Sequence, residues 1–223
     1  MSISENLVKI KNALPAGVKL AAVSKTHSTE EILEAYTTGH RTFAENKAQE
    51  LSTKFPSLPS DIEWHFIGHM QTNKVKYIAP FVSMIHSVDS LKLLQVINKE
   101  AAKNKRIIPC LLQFHIAEEE TKFGLSLEEA DGLLSSESYI AMKNIQIAGV
   151  MGMATFTDDL NQVRREFRHL KFIFDVLKEK FFRNDPAFCE ISMGMSDDYQ
   201  IAIEEGSTIV RIGSSIFGSR VYQ

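Results

Sequence analysis

Eight short apolar runs, rich in β-branched and aromatic residues, recur along the chain and are separated by stretches with helical spacing. In residues 90–103 and 159–178, for example, apolar side chains recur every three or four positions, which predicts amphipathic helices. Strands that alternate with helices pair in parallel through right-handed crossovers. Eight such units in 223 residues predict a closed (β/α)8 barrel of the TIM type, with an open doubly wound sheet as the alternative. The predicted strands cover about 18–25, 42–46, 63–68, 82–88, 108–116, 145–154, 187–193 and 208–212.

No linker, low-complexity run or change in composition divides the chain. The sequence therefore predicts one α/β domain over residues 1–223, with residues 3–13 forming an additional N-terminal helix before the first strand. Ser90 and Asp159 precede two of the helical patterns and are predicted to be their N-caps.

Composition excludes several classes of partner. With 25 basic and 28 acidic residues the net charge is −3, so no basic face predicts binding to nucleic acid or to an anionic membrane. Cys110 and Cys189 lie far apart, which predicts neither a disulfide framework nor a metal site. The sequence has no membrane span or secretion signal, so we expect a cytoplasmic protein, and the helices show no self-complementary apolar stripe, so we expect a monomer.

Lys25 is the last residue of the first predicted strand, 18–25. The carboxyl ends of barrel strands form the mouth where ligands bind, and an amine that loses its water there can act as a nucleophile. An ordinary solvated lysine is the alternative at this position.

The C-terminal part of the chain contains two Gly/Ser loops, each after a predicted strand. ISMGMS (191–196) and RIGSS (211–215) would follow strands seven and eight, the usual phosphate site of this fold, although plain turn chemistry explains such loops equally well. Ser196 is also predicted to cap the short helix that follows it. Arg211 lies inside an apolar strand, where it would bind either a ligand or an acidic side chain.

Two histidines, one in the third predicted strand and one directly after it, do not form a metal motif. His65 and His69 are four residues apart, but strand and turn separate them, and no HExxH-type glutamate accompanies them. The chain also lacks GxSxG, Walker and GxGxxG motifs, which weakens hydrolase and nucleotide-binding hypotheses.

Six segments, in order along the chain, resemble the YggS/PROSC family of pyridoxal-phosphate homeostasis proteins. The last of them is long and highly specific. The segments are AVSKT (22–26), FAENKAQE (43–50), WHFIGHMQTNK (64–74), EEETKFGL (118–125), GVMGMA (149–154) and ISMGMSDD through GSTIVRIGSSIFG (191–218).

This resemblance implies a barrel of the alanine racemase N-terminal type, with pyridoxal 5′-phosphate attached to Lys25 as an internal aldimine. It also implies that Ser196, Arg211 and Gly213 contact the phosphate and ring end of the cofactor, and that Asn46 lies near the ring. The family is understood to bind, carry and buffer the cofactor, with no established catalytic turnover. For this chain we therefore expect cofactor homeostasis and delivery, with apo-enzymes as candidate recipients. Arg211 beside the pyridine nitrogen would keep it unprotonated and make the ring a weak electron sink, which suits storage.

Two other functions remain open from the sequence. A small pyridoxal-phosphate-dependent amino-acid racemase would need a second acid or base, which no motif identifies, and the sequence shows no room for the additional domain of the related racemases. A barrel that binds some other phosphorylated metabolite is the third possibility.

Overall fold

The structure, a computed structural model, describes residues 2–118 and 123–218; residues 119–122 of the EEETKFGL segment lie outside it. Eight parallel strands in this part of the chain pair in sequence order, and β8 pairs with β1, which closes the barrel. The predicted barrel is confirmed, although its strands are shorter than the apolar runs. They are β1 (Lys19–Val23), β2 (Thr42–Glu45), β3 (Glu63–Phe66), β4 (Met84–Val88), β5 (Ile108–Gln113), β6 (Ile145–Met151), β7 (Glu190–Ser192) and β8 (Ile209–Ile212).

Helices connect successive strands, and several of them start at local capping signals. Ser28 caps its helix through a reciprocal capping box with Glu31, and Ser90 and Asp159 are N-caps as predicted. Short 3-10 helices cover Phe55–Ser57 and Thr72–Lys74. The α-helices of the described residues are α1 (Ile3–Ala13), α2 (Thr29–Thr37), α3 (Ala48–Lys54), α4 (Val75–Ile78), α5 (Leu91–Lys103), α6 (Leu127–Ser135), α7 (Glu137–Ile140), α8 (Leu160–Phe181), α9 (Tyr199–Glu204) and α10 (Ser214–Phe217).

The predicted extra helix, α1, packs on the outside of the barrel against α2 and α10. Leu7 and Ile10 are its buried residues, and the Asn6 side-chain amide donates to the Ile216 carbonyl at 3.1 Å. Because α10 follows β8 directly, α1 braces the last loop of the barrel from outside.

Apolar side chains fill the space between the strands and the surrounding helices, with Trp64, Phe43 and Phe167 among the largest fully buried ones. Such a core holds the strand ends at fixed positions, so the loops that follow them can form a site. Among the described residues, no helix is both long enough and apolar enough to cross a bilayer.

Candidate functional site

A cavity of about 390 Å³ opens at the carboxyl ends of the strands. The residues singled out from the sequence, Lys25, Asn46, Ser196, Arg211 and Gly213, all line it. They come from the loops after β1, β2 and β7 and from β8 with its following loop, so barrel closure brings together positions up to 188 residues apart (Lys25 to Gly213).

Lys25 lies two residues beyond the end of β1, in a tight turn. The His27 backbone N–H donates to the Ser24 carbonyl at 3.1 Å, and Thr26 has a φ of +70°. This left-handed conformation is unusual for a β-branched residue and is maintained only where surrounding contacts impose it. The Lys25 side chain is half-buried and lines the cavity.

An acidic and basic cluster lies behind this turn. The Lys54 Nζ donates to Glu45 Oε1 at 2.9 Å, to Glu50 Oε1 at 2.7 Å and to the Ser24 carbonyl at 2.9 Å. Glu45 is fully buried and also accepts from Ser24 Oγ at 2.7 Å. Burial raises the pKa of the Glu45 carboxyl, while Lys54 opposes that rise.

Arg211 lies in β8 and is only 3% exposed, yet its hydrogen-bond partners are neutral. Its guanidinium donates to Ser192 Oγ at 2.7 Å and to the Gly152 carbonyl at 3.0 Å. Among the ion pairs of the described residues, none includes Arg211. Burial lowers the pKa of Arg211 to about 10, and it raises the pKa of the Asp198 carboxyl, whose charge acts on Arg211. A buried cation that lines a cavity without a carboxylate partner favours an anionic or hydrogen-bond-accepting ligand.

Two buried histidines continue the hydrogen bonds of Arg211 into the barrel. His86 Nδ1 lies 2.9 Å from Ser192 Oγ, and His86 Nε2 lies 2.9 Å from His65 Nδ1. Burial lowers the pKa of His65 to about 4 and that of His86 well below its usual 6.5. Both imidazoles are therefore neutral at pH 7.

The direction of this hydrogen-bond chain follows from the donors. Arg211 can only donate, so Ser192 Oγ accepts from it; in the described part of the chain, His86 is the acceptor within reach of the Ser192 hydroxyl proton. His86 then carries its proton on Nε2 and donates to His65. In this chain Arg211 therefore donates to Ser192, Ser192 to His86, and His86 to His65. Each hydrogen bond is directed away from the cavity.

Ser196 and Gly213 lie at the same end of the cavity as Arg211. The prediction that Ser196 caps the following helix is wrong, because α9 begins at Tyr199 with Asp198 as its N-cap. Gly194 has a φ of +94°, and the turn it makes lets Ser196 Oγ accept from the Gly213 N–H at 3.4 Å. Ser214 also lines the cavity here and begins α10, whose first amides have no acceptor within the helix.

Asn46 lines the cavity next to the Lys25 wall. Its Oδ1 is buried and, among the described residues, has no hydrogen-bond partner. A side chain at position 68 would collide with this loop, because a Cβ on Gly68 would lie 2.1 Å from the Asn46 carbonyl oxygen. Glycine there lets the Asn46 loop approach closely, and the buried Asn46 oxygen is a candidate acceptor for a ligand group.

The structure adds cavity residues that were not among the predicted cofactor-binding residues, although the sequence analysis had considered His69 as a metal ligand. His27 and His69 line it, with Nδ1 atoms 3.0 Å from Glu31 Oε1 and 3.3 Å from Asp89 Oδ2, respectively. Phe123 stacks on His69 with ring centroids 4.0 Å apart. His69 lies in one of the quoted segments, but only the loop geometry places it at the cavity.

The network behind the cavity was also missed, although one signal in the sequence pointed to it. His86 and Ser192, like Arg211, are polar residues inside apolar strands, and each needs a buried partner. Within residues 2–118 and 123–218, no group of three or more His, Cys, Asp or Glu could hold a metal ion. That the protein uses no metal stays a prediction.

The fold and this cavity define a class of barrel with a lysine and a buried arginine at the mouth. The family described as "Alanine racemase, N-terminal domain" matches residues 1–221. The chain is 40% identical over 205 residues to the pyridoxal phosphate homeostasis protein of Aquifex aeolicus, a match covering 92% of this chain and 88% of that protein. It is 39% identical over 217 residues to the human protein of that name, a match covering 92% of this chain and 77% of the human protein.

Solved structures agree with this grouping. PipY of Synechococcus elongatus PCC7942, solved with pyridoxal phosphate bound, superimposes with a TM-score of 0.87 at 31% identity, covering 97% of this chain and 100% of PipY. The alanine racemase of Clostridium difficile shares the fold, with a TM-score of 0.71 at 17% identity over 60% of its chain. The chain therefore belongs to the alanine racemase N-terminal domain family and, within it, to the pyridoxal phosphate homeostasis proteins.

Proposed function

We propose that the chain binds pyridoxal 5′-phosphate in this cavity through a covalent link to Lys25 and serves to store and deliver the cofactor without catalytic turnover. The observation that carries the proposal is the cavity itself, which is lined by Lys25 and by the buried Arg211, whose hydrogen-bond partners are neutral. The named function of the relatives and the cofactor bound to PipY support it.

The cavity residues fit the chemical groups of the cofactor. Pyridoxal phosphate supplies an aldehyde that a lysine amine binds reversibly as an imine. Arg211 would hold the ring nitrogen by donating an N–H to it, and its charge would oppose protonation of that nitrogen. Ser196 and Gly213 offer hydroxyl and backbone groups for the phosphate. The buried Oδ1 of Asn46, which has no partner among the described residues, suits a hydrogen-bond donor on the ring.

Storage follows from the electronic effect of Arg211. Carbanion chemistry on the cofactor is strongest when an acidic partner keeps the ring nitrogen protonated. Ser192 and Gly152, the hydrogen-bond partners of Arg211, are neutral and do not weaken its positive charge. We propose further that the protein acts as a monomer in the cytoplasm and that apo-enzymes are its recipients.

One observation favours an amino-acid racemase-like enzyme as the second candidate. His27 and His69 line the cavity and lie next to carboxylates, an arrangement that suits acid–base catalysis. Such a pair would supply the acid or base that sequence motifs do not identify.

Transfer and racemisation assays separate the two functions. We expect cofactor-loaded protein to show visible absorbance and to activate an apo-enzyme, with no change in the enantiomeric composition of a panel of L-amino acids. Racemisation that disappears in the Lys25→Ala variant would overturn the storage function. A protein that stays colourless after incubation with the cofactor would indicate a different phosphorylated ligand.

A further inference from the structure

The residues on both sides of Lys25 are held by one partly buried cluster of side chains. On the preceding side, Ser24 Oγ donates to Glu45 Oε1 at 2.7 Å, and the Ser24 carbonyl accepts from Lys54 Nζ at 2.9 Å. On the following side, the Thr26 N–H donates to Glu50 Oε1 at 2.6 Å. Lys25 is therefore the middle residue of a three-residue segment whose two flanks are both fixed.

Lys54 joins the two attachment points. Its ammonium group has three protons, and its three hydrogen bonds go to Glu45, Glu50 and the Ser24 carbonyl. The side chain is 10% exposed and lies at the end of α3, so this cation has little contact with water. Removing it would leave the Glu45 carboxylate buried without a cation and would release Glu50 from its position.

The conformation of Thr26 shows what the cluster holds in place. A φ of +70° is disfavoured for a β-branched side chain, and the short bond from the Thr26 N–H to Glu50 is a contact that stabilises it. Relaxation of Thr26 to an ordinary conformation would rotate the adjoining peptide and redirect the Lys25 side chain.

We propose that Lys54, through Glu50 and Glu45, is a positioning residue that holds the Lys25 amine toward the cavity. The inference rests on the proposed attachment of the cofactor to Lys25 and adds the residues that orient the nucleophile. Lys54 does not line the cavity, so it acts through the backbone of the Ser24 to Thr26 turn.

The test compares four variants with the wild type. Lys54→Met removes all three hydrogen bonds of the Lys54 ammonium. Glu50→Ala removes the acceptor that the Thr26 N–H and Lys54 Nζ share, and it keeps the bonds from Lys54 to Glu45 and to the Ser24 carbonyl. Glu50→Gln keeps an oxygen acceptor at that position and is the conservative rescue. Lys178→Met is the matched control, because Lys178 Nζ donates to the carbonyls of Asp185 and Phe188 and lies away from the cavity.

Two readouts are measured on each folded variant. The first is the rate at which the apo-protein gains visible absorbance after mixing with pyridoxal phosphate. We expect a decrease of roughly tenfold or more for Lys54→Met and Glu50→Ala, because small misplacements of a reacting group reduce rates steeply. The second is the hydrogen exchange of the Thr26 amide in the apo-protein, which should accelerate in the same two variants. Glu50→Gln and Lys178→Met should match the wild type in both.

The outcomes distinguish this inference from the proposed function. If Lys54→Met does not fold, Glu50→Ala decides the question, since it leaves the Glu45 and Lys54 pair intact. Attachment at the wild-type rate in the folded Lys54→Met or Glu50→Ala protein would overturn the positioning role. A wild-type protein that gains no absorbance would instead contradict the proposed function, and Thr26 exchange would still report on the turn.

Discussion

The two walls of the cavity hold their cations in opposite ways. Behind Lys25, the buried ammonium of Lys54 contacts two carboxylates, and its three protons are all used. At the other wall, Arg211 contacts a serine hydroxyl and a backbone carbonyl, and the histidines beyond them are neutral. The Lys54 cation is thus paired with carboxylates inside the protein. Arg211 donates to no carboxylate among the described residues, although the charge of Asp198 acts on it, so its guanidinium can still attract a ligand.

This difference separates positioning from binding. A buried ion pair contributes geometry, because its members hold each other and the backbone they contact. A buried arginine with neutral partners keeps its direction through hydrogen bonds while its charge stays available to the cavity. Substitutions at the two walls should therefore affect stability and ligand affinity in different proportions.

The largest effect on stability is expected from substitution of Lys54, behind the Lys25 wall. Lys54→Met should reduce the free energy of unfolding by about 3–5 kcal/mol, because it leaves the buried Glu45 carboxylate without its cation. Urea unfolding of the apo-protein measures this change. A loss below about 1 kcal/mol would show that the cluster is hydrated and that the contrast between the walls is wrong.

At the other wall, Arg211→Met should change the free energy of unfolding by no more than about 1 kcal/mol, because it removes a buried charge together with two hydrogen bonds. The affinity for pyridoxal phosphate should fall by about 1.5–3 kcal/mol, which is roughly tenfold to a hundredfold. Fluorescence titration and urea unfolding of the same variant measure the two quantities. Unchanged affinity would remove Arg211 from the site.

The neutral histidines make the Arg211 wall sensitive to acid. Because burial lowers the pKa of His65 to about 4 and that of His86 well below 6.5, the unfolded chain binds protons that the folded chain does not. Their contribution to stability is complete above pH 6.5 and is lost as the pH falls toward 4, by up to about 1.4 kcal/mol per pH unit for each histidine. Urea unfolding between pH 4 and 7 should show a shallower decline for His65→Gln than for the wild type; equal slopes would mean that His65 titrates normally.

The smallest effect is expected for Glu45→Gln. Glu45 Oε2 is buried without a partner among the described residues, and burial raises the pKa of this carboxyl. The contribution of a carboxyl with a raised pKa is complete below its unfolded pKa and is lost as the pH rises through the folded value. The free energy of unfolding of the variant should stay within about 1 kcal/mol of the wild-type value. As the pH rises from 4 to 8, the variant should become more stable relative to the wild type. A shift in the opposite direction would indicate that Lys54 dominates.

Much of the fold could be predicted because hydrophobic periodicity reports on burial. All eight predicted runs contain a strand, and two predicted N-caps are confirmed. Lys25 and Arg211 stood out because a charged residue at a strand end or inside an apolar strand needs a local explanation. The strand ends were less predictable, because β1 ends at Val23 and leaves Lys25 in a turn.

The supporting residues could not be predicted because their partners are distant in sequence. Lys54 looks like an ordinary helix-end lysine, and only the packing of α3 against the turn after β1 makes it buried. The bond between His86 and Ser192 joins positions 106 residues apart, and no periodicity encodes such a pair. The contact between Ser196 and Gly213 was also unpredictable, because it depends on the conformation of the loop before α9. In that conformation Ser196 accepts from Gly213 and does not cap α9.

The roles proposed for both walls of the cavity depend on the attachment of the cofactor to Lys25. This attachment is tested most directly by incubating the purified protein with pyridoxal phosphate, reducing it with borohydride and mapping the modified peptide by mass spectrometry. We predict one reduced cofactor on Lys25 and none on the Lys25→Ala variant. A reduced cofactor on another lysine, retained in that variant, would contradict the assignment.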